Sequence, residues 1–362
     1  MRAGALVLLA VLAGCAPTLP PAYVHARDTA ESDYARGHFS DAAKSWLEAA
    51  RTAATARDRS DARYRAATSY QRAGQLEQAR ELYTLLASGK SDRAARSAFT
   101  LADLRIASGD ESSGYAELEA AIRKYPSSGV ANLALTRYLA FLASKGGDHA
   151  VLEYVTQPPA ELAVGELAEQ LLYERARHLD ALGATKEASE TYVELADRYP
   201  YPHGAYWDDA LLRGADCAER LHDPARAIEL LDRMLAAREL SHMSGSYERP
   251  HFADAAFRVA ELYRDELKDP EAARRAFHAV FVDYPSSTLR DDALWQEALL
   301  ARNAGGAAAC APLSLLVAQL PDSRFAPCAH EICTTLRPMA ARECRDYIER
   351  DLHKEPKTES AD

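Results

Sequence analysis

The chain of 362 residues is short of the residues that build sheets and tight loops. Glycine and proline number 17 each, and long alternating runs of β-branched residues are missing, which excludes a sandwich or barrel and leaves helix as the dominant element in an alanine-rich chain. Beyond the first residues no apolar stretch is long enough to cross a bilayer as a helix. An excess of positive charge is missing too: Lys and Arg total 43 against 54 Asp and Glu, a formal −11. That balance argues against nucleic acid as a partner and against electrostatic adhesion to anionic lipid. Catalytic signatures are likewise absent. There is no Gly-x-Ser-x-Gly elbow, no His-Glu-x-x-His, no phosphate-binding glycine loop and no dinucleotide fingerprint. The carboxylate pairs Asp208-Asp209 and Asp291-Asp292 read as helix starts, where the helix dipole favours negative charge. The expectation is a protein that is not an enzyme and needs no cofactor.

What is present begins at the amino terminus. Arg2, the apolar run Ala5 to Leu12 and the sequence Leu12-Ala13-Gly14-Cys15 form a basic start, a short hydrophobic stretch and small residues, the pattern of an export signal. The cysteine after Leu-Ala-Gly resembles the lipobox of bacterial lipoproteins. That resemblance implies cleavage after residue 14, acylation of Cys15 and anchoring by several acyl chains, since a single chain holds only reversibly. Ala16 stands where the inner-membrane retention residue of enterobacterial lipoproteins is Asp, which implies the outer membrane. Pro17 to Pro21 follows as a short tether.

A pattern then recurs. Gly37-x-Phe39-x-x-Ala42-x-x-x-Trp46-x-x-Ala49 is matched by Gly74-x-Leu76-x-x-Ala79-x-x-x-Tyr83-x-x-Leu86 and by Gly183-x-Thr185-x-x-Ala188-x-x-x-Tyr192-x-x-Leu195. The glycine turns the chain between two helices, the small residue lets them approach, and the aromatic fills the next groove. Lys124-Tyr125-Pro126, Arg198-Tyr199-Pro200 and Asp283-Tyr284-Pro285 end the second helix of a pair. Asp223-Pro224 and Asp269-Pro270 replace the glycine turn as helix-start signals. On this template helix pairs fall at about 28–55, 59–88, 92–124, 130–156, 167–198, 206–237, 252–283 and 290–319, the fourth broken by Gly146-Gly147 and Pro158-Pro159, the eighth turning at Asn303 to Gly306.

These residues resemble the tetratricopeptide repeat, whose period is about 34 residues. The resemblance implies an all-α, right-handed solenoid of about seven to eight helix pairs whose concave groove takes partner proteins. On repeat geometry the better repeats, 28–126 and 167–200, carry that binding, with Tyr34, Arg63, Tyr70, Arg105, Tyr173 and Arg177 as candidate contacts from the first helix of each pair. Tyr125-Pro126-Ser127-Ser128 and the run from Tyr284 to Leu294 resemble repeat lipoproteins of Gram-negative envelopes, those of outer-membrane assembly and the Tol-Pal coordinator. Trp207 and Trp295 read as repeat core, with groove lining as the alternative. The insertion from Arg238 to Phe252, with His242, His251 and Arg249, reads as a tolerated insertion or a partner contact.

Five cysteines lie beyond Cys15. Cys217 stands alone on a helix and reads as a small buried residue. Cys310, Cys328, Cys333 and Cys344 cluster near the end, and in an exported chain they read as two disulfides stapling the terminal repeat. Four cysteines allow three pairings. The preferred one is Cys333–Cys344, flanking the turn near Pro338, which leaves Cys310–Cys328. The alternative is a metal site built on Cys328-Ala329-His330-Glu331-Ile332-Cys333 together with Cys344 and Cys310, a spacing that departs from the usual zinc patterns.

The expected organisation is a removed signal at 1–14, a lipidated tether at 15–27, a solenoid at 28–320, a cysteine-rich helical cap at 321–353 and a disordered tail at 354–362. The expected role is a lipid-anchored scaffold on the periplasmic face of the outer membrane, holding other envelope proteins in an assembly, secretion or motility machine. A structural link between membrane and cell wall, and an accessory subunit of a peptidoglycan enzyme, are the alternatives.

Overall fold

A computed structural model describes residues 19–89, 92–237, 250–304, 306–339 and 342–353. Cys15, the insertion up to Arg249 and the tail from Lys354 lie outside the described residues. Among those described every regular element is helical, and no helix is long and apolar enough to cross a membrane. The helices form two compact units, one reaching Ala150 and including Gln157–Ala168, the other made of Val151–Thr156 and everything from Glu169 on.

Unit 1 holds the pairs α1 (Pro21–Ala35) and α2 (Phe39–Thr52), α3 (Ala56–Arg72) and α4 (Leu76–Ala87), and α5 (Asp92–Ala107) and α6 (Glu111–Lys124). It continues into most of α7 (Ala131–Thr156), which breaks at Gly146 and Gly147. The first helix starts at Pro21 rather than at 28, so part of the expected tether is helix. Proline at the first helical position has no N–H to lose, and it begins α1 instead of keeping the chain extended.

Unit 2 holds most of α8 (Glu166–Ala181), then α9 (Thr185–Arg198), α10 (Trp207–Arg220) and α11 (Pro224–Leu235), α12 (Pro250–Asp265) and α13 (Pro270–Asp283), and α14 (Arg290–Ala304) and α15 (Cys310–Gln319). The expected helical cap is mostly turns. It contains a 3-10 turn, the single-turn α16 (Ala329–Ile332) and the short α17 (Asp346–Leu352).

One local rule builds the six pairs formed by α1 to α6 and α8 to α13. A residue in the left-handed region closes the first helix: Gly37, Gly74, Gly109 and Gly183, and, where Asp-Pro follows, His222 and Lys268. Next comes a small residue at the crossing of the two helices: Ala42, Ala79, Gly114, Ala188, Ala227 and Ala273, all buried. At Gly114 the backbones are so close that a Cβ would stand 2.5 Å from the Ile106 side chain. One turn further on, a large side chain fills the space between pairs: Trp46, Tyr83, Leu118, Tyr192, Leu231 and Phe277, each at most 3% exposed. Asp110, Asp223 and Asp269 cap the second helices by accepting backbone N–H bonds. The tyrosine of the first Tyr-Pro terminator adds a link: Tyr125 Oη donates to the carbonyls of Ala87 and Gly89 at 2.7 and 2.9 Å, tying one pair to the end of the one before.

Lys268 has φ 53°, in a region that costs an L-residue about 1–2 kcal/mol and glycine almost nothing. Glycine gives back part of that difference through the entropy of the unfolded chain. Lys268→Gly is therefore expected to stabilise the fold by about 0.5–1 kcal/mol, read as a higher urea midpoint. A lower midpoint would show that the Lys268 side chain contributes more than its backbone costs.

The four clustered cysteines form two disulfides, but not in the preferred pairing: Cys310 bonds Cys333 and Cys328 bonds Cys344. The path of the chain explains the correction. α15 carries the chain about 15 Å away from Cys310, and the return through the 3-10 turn Ala326–Cys328 and α16 packs back along α15. Cys328 lies partway along this return, and Cys333 arrives where α15 began. All four sulfurs are thereby bonded, which leaves no thiolate for the alternative metal site. Cys217 is a free thiol in the core. Burial, with Asp180 nearby, pushes its pKa up to about 11, so it stays protonated at neutral pH.

Candidate functional site

The six contact residues expected from repeat counting differ in burial and in what they touch. Tyr34 is half-buried with its ring edge against Phe39, centroids 5.1 Å apart. Tyr70 packs on the cluster around Tyr83. Arg63 is half-buried, with no ion pair among the described residues. Arg105 pairs with Glu117 at 3.0 Å and Asp110 at 3.7 Å. It lines a cleft of about 530 Å³ between α4, α5 and α6, with Arg80 and Lys124, so it points toward the second helices. Tyr173 is a correction: it is 8% exposed, stacked on Tyr206 at 4.5 Å. Its hydroxyl donates to Asp209 and accepts from Arg213 Nε at 3.1 Å. Burial first, then the Asp209 carboxylate, pushes its pKa up to about 12. Arg177 is exposed and paired with Glu174 at 2.9 Å. Trp207 and Trp295 are both core.

The open surfaces between successive first helices are lined by other residues. In unit 1 a groove of about 310 Å³ runs between α3, α5 and α7. Phe99 with Leu118 forms its floor, Tyr64, Leu133 and Thr100 its sides, and Arg96, Asp103 and Arg137 its charges. Arg137 Nη2 approaches Asp103 Oδ1 at 2.7 Å. Arg93 pairs with Asp61 and lies 4.8 Å over the Tyr64 ring. Arg96 is exposed and has no ion pair among the described residues.

Unit 2 has a groove in the corresponding place, about 510 Å³, between α10, α12 and the start of α14. α5 and α12 correspond when Ala102 is matched to Ala260: Ala94 and Phe252, Ser97 and Ala255, and Leu104 and Leu262 are then buried like that pair, while Arg96 and Asp254, and Ala107 and Asp265, are exposed. Arg96, Phe99, Thr100 and Asp103 then correspond to Asp254, Phe257, Arg258 and Glu261, and all eight line their grooves. Arg258 is held by Asp216 and by Glu219 at 2.6 Å. Arg264 is committed to Asp265 at 2.6 Å, which keeps that carboxyl below its ordinary pKa. Burial raises the pKa of Glu261, with Arg264 opposing.

Carboxylate-to-arginine pairs stitch neighbouring first helices on this same side. Glu31 meets Arg65 at 3.8 Å and Asp61 meets Arg93 in unit 1; Asp180 meets Arg220 at 2.6 Å and Asp216 meets Arg258 in unit 2. Most of the charge on these faces is thus engaged within the chain. Partly exposed pairs of this kind contribute about 0.2–1 kcal/mol each.

Two stretches of the sequence, residues 61–88 and 254–287, match the tetratricopeptide repeat family. Those two stretches are tetratricopeptide repeats. Each matched stretch is one helix pair, α3 with α4 and α12 with α13, and each supplies a groove wall. Among solved structures, the C-terminal part of a tetratricopeptide repeat-containing protein from Cytophaga hutchinsonii is similar over 73% of this chain and 98% of its own, at 14% identity and a TM-score of 0.42. A tetratricopeptide repeat protein from Parabacteroides merdae is similar over 77% of this chain and 99% of its own, at 14% identity and a TM-score of 0.32. No curated protein matches the chain in sequence. The expected all-helical tetratricopeptide class with a disulfide-stapled end is the one found.

The groove residues carry a signal that sequence reading passed over. Arg96, Phe99, Thr100 and Asp103, like Asp254, Phe257, Arg258 and Glu261, recur at i, i+3, i+4 and i+7 opposite the alanine face of their helix. A large aromatic in the middle of an otherwise polar stripe marks a helix face that is not merely solvated.

Proposed function

We propose that this protein is a non-enzymatic scaffold, lipid-anchored through Cys15 and facing the periplasm of a Gram-negative envelope, whose grooves hold segments of other envelope proteins. The observation that carries this reading is the pair of open grooves between first helices, each with an aromatic floor and a charged rim. A groove of that kind suits an extended segment or a helix better than a small molecule, because it is open to solvent and rimmed by charged side chains rather than enclosed and apolar. The resemblance of Leu12-Ala13-Gly14-Cys15 to a lipobox supports the anchor, and the two disulfides suit an oxidising compartment. The partners belong to an assembly, secretion or motility machine rather than to the cell wall itself.

The test is mild crosslinking in the native envelope, purification of the lipidated protein, and mass spectrometry of what accompanies it. A defined set of envelope proteins is expected, with Cys15→Ala releasing the protein from the membrane fraction. Recovery of cell-wall fragments alone would replace the scaffold by a structural link between membrane and wall.

A further inference from the structure

The two grooves occupy corresponding positions in their units and differ in charge. Arg96 in unit 1 corresponds to Asp254 in unit 2, while the floor aromatic, Phe99 or Phe257, is kept. Around the unit 2 groove stand Glu219, Asp254, Glu261, Asp265 and Glu266, and Arg258 is the one cation in its lining. That cation is already held by Asp216 and Glu219. Asp254 and Glu266 are exposed and without an ion pair among the described residues, while Glu261 pairs with Arg264 at 3.6 Å. These carboxylates do not converge on a point: no group able to hold a metal ion occurs among the described residues. They are spread along a floor made by Phe257, Leu262 and Leu289.

We infer that the unit 2 groove takes a cationic amphipathic segment of a partner protein, its apolar side chains on Phe257, Leu262 and Leu289 and its Lys or Arg side chains against Asp254, Glu261 and Glu266. This rests on the reading that the grooves hold protein segments, and adds to it the chemistry of one occupant. The apolar floor requires hydrophobic side chains at intervals, because polar groups placed there would lose water without compensation. Asp254 and Glu266, the two carboxylates without an ion pair among the described residues, select positive charge and repel an acidic segment. Nucleic acid is excluded by the same sign. Placing a cation beside Glu261 also offsets the desolvation that this carboxylate already suffers.

The experiment uses the full chain and a fluorescent synthetic peptide of Lys and Leu patterned as an amphipathic helix, with Glu–Leu and Lys–Ser peptides as comparisons, read by anisotropy at low and high salt. The Lys–Leu peptide is expected to bind, more weakly as salt rises, with the other two binding at least about tenfold more weakly. Asp254→Lys with Glu266→Lys is expected to weaken it about tenfold. Glu153→Lys with Glu190→Lys makes the same change in net charge at exposed sites outside the groove, and is expected to alter binding less than about twofold. Equal loss in both double variants would assign the binding to net charge and overturn the inference, as would no binding of the Lys–Leu peptide. The scaffold reading stands or falls on the crosslinked envelope proteins, so the two failures are distinguishable.

Discussion

Phe277→Ala is expected to destabilise unit 2 by about 3–5 kcal/mol. The ring is fully buried, and it fills the space between helix pairs at the site taken by Tyr192 and Leu231 in the preceding pairs. Phe257 of α12 leans on it edge-on, centroids 5.1 Å apart, and Arg264 lies 5.6 Å above it. Removing the ring leaves a cavity that two rigid helices close only in part, so the lost transfer energy and the cavity both count. Leu118 and Leu231 occupy the same place in their own pairs, which makes Phe277→Leu the informative control. It is expected to cost under about 1.5 kcal/mol. Urea unfolding followed by circular dichroism reads both. The groove should respond as well, because Phe257 is its floor: Phe277→Ala abolishes binding of the Lys–Leu peptide and Phe277→Leu preserves it. A loss below about 1 kcal/mol for the alanine variant would mean that the pairs carry their stability elsewhere.

The features of the fold that were legible in the sequence are those fixed by sterics within one helix pair. A left-handed turn residue, a small residue at the crossing and a large one beyond it each answer to a local constraint, so Gly74, Ala79 and Tyr83 announce themselves without knowledge of their neighbours. The Asp-Pro turns were legible as helix starts, but not the strained His222 and Lys268 before them. Proline fixes its own φ, whereas the left-handed residue is determined by how the pair closes.

The groove was less legible, because it is made by three helices at once. An outward polar stripe looks the same whether it faces water or the next first helix. Tyr173 stands where Phe99 and Phe257 stand, and Tyr206, from the loop before α10, covers it. Arg105 lies only two residues beyond Asp103 and points to the opposite side of α5. Charge on such a stripe is also ambiguous, since Asp61 and Asp216 look like free carboxylates until Arg93 and Arg258 arrive from the following first helix. The charges left over after that pairing, Arg96 in one unit and Asp254 with Glu266 in the other, are the ones available to a partner.

Opening both disulfides is expected to unfold the cap while leaving the earlier helix pairs intact. Cys310–Cys333 and Cys328–Cys344 close loops with sequence separations of 23 and 16, for which loop-closure entropy gives roughly 3 kcal/mol each. The two loops interlock in sequence, so neither bridge is redundant. What they hold down is a small apolar core: Phe325 stacks on Trp295 at 4.8 Å, and Ile332, Ile348 and Leu352 close over α14 and α15. With so little regular structure, the cap has few backbone hydrogen bonds with which to resist opening. Arg342 compensates in part, donating to the carbonyls of Pro321, Asp322 and Ser323. Each bridge joins a buried residue, Cys333 or Cys328, to a half-buried one, Cys310 or Cys344. The readout is tryptophan emission in a Trp46→Phe, Trp207→Phe background, where Trp295 alone reports. Reduction is expected to shift its emission to the red and expose the apolar face of α14 to a hydrophobic dye, with helix content almost unchanged. Replacing the four cysteines by serine should reproduce the reduced state without reagent. An unshifted Trp295 in both cases would mean that the aromatic stack and Arg342 hold the cap by themselves and that the bridges are dispensable.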